Sequence, residues 1–410
     1  MIRRLLLGAA LAATAPPEGR ATLRSFDELQ ALVAAPDGPR EIVLEPGVYR
    51  GDLTIARPLV LRGTKGTVLE GTGSGTVITV ASSDVTVADV LVRRSGKRHT
   101  TEDAAVKATG ERVRIAGVRT EDTLFGISLQ ACRSCVVERS HVVGWGDDTE
   151  LRGDGIKLWE SHGSTVRDCT VERSRDVVVW YTRRAVLEGN VVTKSRYGSH
   201  FMYAHDAVVK KSRFEGNVVG LFVMYSMRLT VEDNVLAGAR GAAGVGLGFK
   251  DSDAVTVRGN WLVANTTGAY FDNTPRTPTE AVTLERNTIA LNDVGLRLHG
   301  AEKGLHLSGN ELRDNAALIE VDGGGDALSV DVRGNAFSDY EGYDLDRNGT
   351  GDVPYEVKAL SSELTETVPA LKFFRGTPAM GLIDAVAHAV PVLSSRRLLV
   401  DPEPRMEARR

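Results

Sequence analysis

The chain has 410 residues, 42% hydrophobic and 25% charged, with 43 Gly, 14 Pro and 3 Cys. That balance excludes a disordered segment and a small disulfide-built scaffold. A formal net charge of -4 argues against nucleic acid as the main partner.

Arg3 and Arg4 open the chain, an apolar run follows from Leu5 to Ala13, and small residues close it at Ala13-Thr14-Ala15. This is the layout of a secretory signal peptide over residues 1–15, too short to span a bilayer. The mature protein is therefore expected to be soluble outside the cytoplasm. Next comes a cap region, 22–42. Ser25 begins S-F-D-E with Glu28 three residues on, a capping-box pattern, and Phe26, Leu29, Leu32 and Val33 give the helix that follows (26–35) one apolar face.

Residues 43–337 repeat. A polar turn position recurs at Ser140, Cys169, Asn190, Ser212, Asn234, Asn260, Asn287, Asn310 and Asn335, at gaps of 21 to 29 residues. Three residues before each marker and two after it the side chain is apolar, from Val137 and Val142 to Val332 and Phe337. A third apolar column lies three residues after a slot that is usually glycine: Gly126, Gly155, Asp176, Gly198, Gly220, Gly244, Gly268 and Gly295. Period-two alternation around these columns makes short strands, several per unit. Stacked in register they give an all-β fold, a right-handed parallel β-helix of about a dozen coils. The L-x-x-L-x-L framework of leucine-rich repeats is absent.

If the positions one and three after the slot point inward, those two and four after it point out. Between Trp159 and Phe222 the outward positions read Trp159, Val178, Trp180, His200, Met202 and Phe222, with Met224 next. Tyr181, Tyr203 and Tyr225 end the same strands, and His162, Arg183, His205 and Met227 form the column beyond. A contiguous apolar patch of this kind marks a docking surface, unless the excursion at 146–155 folds over it. Trp159, Trp180, Phe222, Tyr203 and Tyr225 are the docking candidates. Thioether with imidazole suits copper, Cu(I) above all, so Met202, Met224, Met227, His200 and His205 are candidate ligands for a transiently held ion. Methionine is equally an adaptable packing surface, and both readings stand at this point. The repeat gives the three cysteines places without requiring a bond between them. Cys169 takes a turn-marker slot and Cys135 points inward, with Cys132 placed in a turn, an arrangement that disfavours a Cys132–Cys135 pair.

The insert at 338–356 carries Asp344, Asp346, Asn348, Gly349 and Asp352 at the spacing of an EF-hand-type loop, which suggests a structural calcium ion. Tyr355 stands where the closing Glu is expected, and a solvated acidic turn is the other reading. In the tail (357–410), Phe373 and Phe374 precede Pro378, and Leu382, Ile383, Val386 and Val390 follow at helical spacing with Pro391 just beyond. This amphipathic helix either seals the last coil or docks on a membrane partner.

The blocks GDGIKLWES (153–161), SRYGSHFMYAHD (195–206), GLFVMYS (220–226) and YDLDRNGTGDVPY (343–355), with D-P-x-P at Asp401–Pro404, resemble the NosD family over nearly all of the mature chain. That family comprises periplasmic maturation factors of nitrous oxide reductase. The resemblance implies a periplasmic protein on the outer face of an ABC transporter made of an ATPase and a permease. It also implies work on the reductase copper–sulfur centre with a lipoprotein copper chaperone, membrane contact through the permease only, and no catalytic residues. The rival is a carbohydrate-active β-helix enzyme, a hydrolase, lyase or epimerase. Such an enzyme would rely on Asp147, Asp148, Glu150 and Asp154.

Overall fold

The computed structural model describes residues 20–406, apart from 24, 301–302, 323–324, 359, 361–363, 365–366, 375–376 and 391–396. The expected signal peptide and Pro391 lie outside the described residues. Within them the chain winds into three parallel sheets of 14, 13 and 12 strands, each strand hydrogen-bonded to its counterpart one coil away. The three apolar columns read from the repeat fall one on each sheet: Val137–Val166–Leu187, Val142–Val171–Val192 and Leu129–Leu158–Val179 stack in register. All nine side chains are buried and join one continuous core. A single coil exposes its apolar residues above and below, so each coil is stable only between neighbours.

Polar side chains at all three corners hold the register, and the sequence showed only one of these columns. At the marker corner Asn234 accepts the Ser212 N–H and donates its amide to Val209 O and to Asn260 Oδ1, 2.9 Å each; Asn260, Asn287 and Asn310 repeat the pattern. A second column runs through Asn265, Asn292 and Asn315. A third is built from hydroxyls, among them Ser161, Thr182, Ser226, Ser252 and Thr274. Each buried side chain takes a backbone group that the turn would otherwise leave unpaired. The residue before the marker turns left-handed, as at Asp168 (φ 53°), Gly189 (φ 66°) and Asp233 (φ 55°). Asp and Gly adopt that region at lower cost than other residues.

Both ends are closed, one as expected and one not. Ser25 caps α1 (Phe26–Ala34) by accepting the Glu28 N–H at 3.3 Å, and the helix buries Leu29 and Val33 on the first coil. Sheet structure begins earlier than residue 43, because Arg20–Leu23 adds a strand beside Glu41–Leu44. At the C-terminal end, Tyr355–Lys358 pairs antiparallel with Arg397–Asp401 and buries Leu398 and Leu399. Asp401 terminates the asparagine column, its Oδ2 accepting from Asn335 N and Nδ2, 2.9 Å each. The tail helix, α2 (Pro378–Ala389), therefore does not seal the last coil by itself.

Two readings of the sequence are corrected. The glycine slot of the coil after Gly220 is Gly246, not Gly244, since Met224 pairs with Lys250 and Phe222 with Gly248. The extra length, within residues 240–244, bulges at the preceding corner and does not count in the strand register. The cysteines also differ from expectation: Cys132 and Cys135 are both buried and form a disulfide, while Cys169 is a buried free thiol. Strand Phe125–Arg133 runs on to Cys132, which directs that side chain inward as well.

Three outcomes follow from this architecture. Asp401→Ala removes the acceptor for four N–H groups, Gly334 N, Asn335 N, Asn335 Nδ2 and Glu403 N. It is expected to cost about 1–3 kcal/mol locally, read as faster hydrogen exchange at Gly334 and Asn335 but not in the middle coils. Cys169, its pKa pushed up to about 11 mainly by burial, leaves the folded protein without a reactive thiol. Unfolding without reductant should release one thiol per chain; three would contradict the pairing. Glu138, its side chain buried among Arg114, Arg139 and Arg167, titrates low. Burial acts to raise its pKa, but hydrogen bonds from Arg167 and Arg114 outweigh burial and hold it at about 2. Because the folded value lies below the unfolded 4.5, this stabilisation is complete above pH 4.5 and is lost as pH falls towards 2. Glu138→Gln should flatten stability against pH in that window, and an unchanged slope would dismiss the role.

Candidate functional site

The outward positions of the third sheet form the columns expected, but they do not form an open plane. Trp159, Trp180, Met202 and Met224 stand in register on successive coils, as do Lys157, Val178, His200 and Phe222 beside them. Neighbouring strands are about 4.8 Å apart, so these large side chains must lean on one another. Val178 is wholly buried beneath them, and the Lys157 side chain is only 7% exposed. Its ammonium pairs with Glu102 and lies 5.1 Å from the Trp159 ring and 5.9 Å from Trp180. Gly248 leaves the gap into which Phe222 tilts; a Cβ there would meet the ring at 2.3 Å.

His200 is held on several sides. Its ring stacks on Tyr197 at 4.8 Å and meets Trp180 edge-on at 5.4 Å. Nε2 faces Met224 Sδ at 3.4 Å, while Nδ1 faces the buried carboxylate of Asp176 at 3.7 Å. Asp176 is held in turn by Arg196, whose Nε and Nη2 donate at 3.0 and 2.6 Å. Burial acts to raise the Asp176 pKa, and the nearby His200 ring together with the Arg196 hydrogen bonds brings it below the usual carboxylate range. Nδ1 has no hydrogen-bond partner at that distance, while Nε2 is within reach of the thioether, which only accepts; a soft cation between the two would take the place of the Nε2 proton. The arrangement is a nitrogen and a thioether facing each other, with Met202 in register beside Met224.

His205 and Met227, the other two expected ligands, stand together at the next corner in the column Arg183–His205–Met227. Arg228 Nη1 lies 2.8 Å from Met227 Sδ, which places a guanidinium where a metal cation would have to bind. The His205 pKa is lowered by burial first, then by Arg183 and Arg228. Among the described residues no three of His, Cys, Asp or Glu group to hold a metal, so a copper site here depends on thioethers.

Tyr181, Tyr203 and Tyr225 form a stacked ladder at 5.2 and 5.0 Å, and Tyr181 and Tyr203 are 40% and 41% exposed. The excursion at 146–155 is tied down by Arg152, which donates to Gly146 O, Asp147 O and Lys194 O. In it Asp148 caps a short 3-10 turn by accepting the Glu150 N–H, and Asp147 and Glu150 face out. Asp154 is instead buried, with Oδ1 accepting from Arg175 at 2.9 Å, and its pKa is pushed up chiefly by burial. The four acids do not converge on one centre.

The calcium expectation for the insert is not supported. Asp344 accepts from the Asn348 and Gly349 N–H groups, Asp346 from Asn348, and Asp352 from the Leu345 N–H. The carboxylates close the loop by themselves, and no metal group is found among the described residues. In the tail, α2 buries Met380 and Ala387 and helps line a cavity of about 1730 Å³ with Tyr340 and Tyr355. Its other face is bare. Leu382 is 64% and Phe373 90% exposed, and Phe374, Val386 and Val390 are exposed beside them, with Ile383 half-buried. No helix among the described residues is long and apolar enough to cross a membrane.

Residues 139–342 match the family model described as periplasmic copper-binding protein (NosD). Two relatives carry the name probable ABC transporter binding protein NosD. One, from Stutzerimonas stutzeri, is 28% identical over 90% of this chain and 87% of its own length. The other, from Pseudomonas aeruginosa, is 28% identical over 96% of this chain and 92% of its own. Among solved structures, the A-module of the Azotobacter vinelandii mannuronan C-5 epimerase AlgE6 matches with a TM-score of 0.60. It is 15% identical over 77% of this chain and 96% of that one. The catalytic unit of a GH87 α-1,3-glucanase from Streptomyces thermodiastaticus matches at 0.54, 18% identical over 80% of this chain and 65% of that one. At such identities these two structures bear on the fold alone.

Proposed function

The chain belongs to the NosD family, and on that premise we propose that it is a periplasmic binding subunit that handles copper, or a copper–sulfur species, at an ABC transporter. Its destination is the copper centre of nitrous oxide reductase, with a lipoprotein copper chaperone as the donor. The observation that carries the reading is the facing pair His200 Nε2 and Met224 Sδ, backed by Asp176. Imidazole with thioether favours Cu(I) over hard cations, and two or three soft donors suit an ion that must be passed on. We assign His200, Met202 and Met224 to the cargo. His205 and Met227 border it, under the charge of Arg183 and Arg228. Trp159, Trp180, Phe222, Tyr203 and Tyr225 surround the pair as a docking face, since large aromatic anchors dominate protein interfaces. The bare face of α2, with Phe373 and Phe374, meets the transporter permease, and the ATPase is reached only through it.

This is a binding function and not a catalytic one. The acids at 147–154 are dispersed, and Asp154 is committed to Arg175. Turnover of a uronic-acid polymer, abolished by Asp148→Asn, would replace this reading with an enzyme.

Anaerobic Cu(I) titration of the full chain tests the cargo site. Wild type is expected to bind stoichiometrically, and the Met202→Ala/Met224→Ala/His200→Ala variant to lose that binding while keeping its thermal unfolding transition. Asp176→Asn should weaken Cu(I) binding about 10–100-fold, the scale seen when the partner of a ligating histidine is lost. Equal affinity in wild type and triple variant would sink the assignment. Leu382→Glu/Val386→Glu should abolish association with the permease and leave Cu(I) binding unchanged.

A further inference from the structure

The corner that follows the tyrosine ladder carries an unbalanced charge. Backbone bonds from Ser134 N to His162 O and from Gly163 N to Arg183 O, then the Arg183–His205 bridge, place Arg133, His162, Arg183 and His205 on four successive coils. Arg184 sits beside Arg183 in a left-handed turn (φ 54°). Arg133, Arg183 and Arg184 are all exposed, and among the described residues none has an ion pair or a side-chain hydrogen bond. At the two ends of this same corner arginine is balanced by a carboxylate one coil away, Arg228 by Asp206 and Arg112 by Asp84. The three guanidinium groups repel one another, and the nearby carboxylates make no ion pair with them: Asp206 is taken by Arg228, and Glu160 acts on His162 only at a distance.

The histidine adds a donor and no acceptor. His162 Nδ1 accepts the Arg183 N–H at 3.1 Å, which leaves Nε2 to carry the proton. Burial, then Arg133, Arg183 and Arg184, lower its pKa, so all three cations act on the ring. Glu160 is the one acid contributing to that balance, and no ion pair joins it to any of the three. The strip thus offers only N–H donors in the planar form that matches carboxylate oxygens two at a time. It also continues the aromatic face. Tyr181, two residues before Arg183, is stacked on Tyr203 and lies 5.1 Å from Trp159. Aromatic anchors rimmed by arginine are the anatomy of a protein interface.

We infer that Arg133, Arg183 and Arg184, with His162 Nε2–H, anchor a carboxylate-rich segment of the protein partner that docks on the adjoining tyrosine ladder. The inference rests on the docking reading and names the partner's chemistry. A long-range attraction of this kind speeds the encounter and fixes the partner's orientation over the His200–Met224 pair.

The test uses the full chain and a fluorescein-labelled hexaglutamate peptide, with labelled hexalysine as control, at low and at physiological salt. Hexaglutamate should bind and hexalysine should not, with affinity falling steeply as salt rises. Arg133→Ser/Arg183→Ser/Arg184→Ser should weaken hexaglutamate about tenfold or more. The control variant Arg119→Ser/Arg173→Ser/Lys194→Ser removes as much charge from elsewhere on the coils and should leave binding unchanged. Equal weakening by both variants, or no binding to wild type, overturns the inference. So does a tighter, equally strip-dependent complex with heparin, which would assign the strip to polyanions in general. Cu(I) titration of the strip variant separates the two proposals: unchanged copper binding with lost peptide binding supports the strip, and copper binding lost in wild type as well would fall on the cargo site alone.

Discussion

Everything in this molecule depends on the hydrogen-bonded register between one coil and the next. A parallel ladder alone sets strand spacing but lets a coil of variable length slip, and these coils differ by up to eight residues. The inward asparagines and hydroxyls at the corners prevent that slip. Each accepts a backbone N–H from the neighbouring coil, so a one-residue shift would bury several unpaired donors at once. Extra length is therefore expelled at the corners, as the bulge at 240–244 and the excursion at 146–155 illustrate.

Register is also what makes a site on an otherwise plain surface. Outward positions on successive coils are forced to within about 4.8 Å of each other, so a column of like side chains becomes a continuous strip of one chemistry. Tyr181, Tyr203 and Tyr225 stack for this reason, and Trp159 and Trp180 close over Val178. The His200–Met224 contact is a diagonal across two strands: His200 is paired with Phe222, and Met224 lies two residues further along. Only long side chains reach across that diagonal.

The two ends show how a one-dimensional fold is finished. A helix with two buried side chains suffices at the start, where the first coil needs only an apolar cover. The other end leaves the last asparagine without an acceptor, and a strand from the far C-terminus brings Asp401 to supply it. With the core sealed by that hairpin, α2 keeps Leu382 and Val386 exposed, an apolar face that the last coil does not use.

Sequence by itself determined the coil count, the three inward columns, the capped first helix and the identity of the outward columns, because each is a periodicity of side chains along one strand. It also placed the aromatic, methionine and histidine positions that the structure brings to one face. Tertiary structure decided what depends on pairing between coils. Gly244 and Gly246 stand equally well as a slot until Met224 is seen opposite Lys250. The Cys132–Cys135 bond required the strand to continue past its expected end. Asp176 behind His200, and Arg228 against Met227, separate five similar candidates into a facing pair with its neighbour and a cationic corner. The insert spaced like a metal loop turned its carboxylates onto its own backbone. In each case spacing along the chain fixes which side chains are available, and only the packed coils fix which atoms face each other.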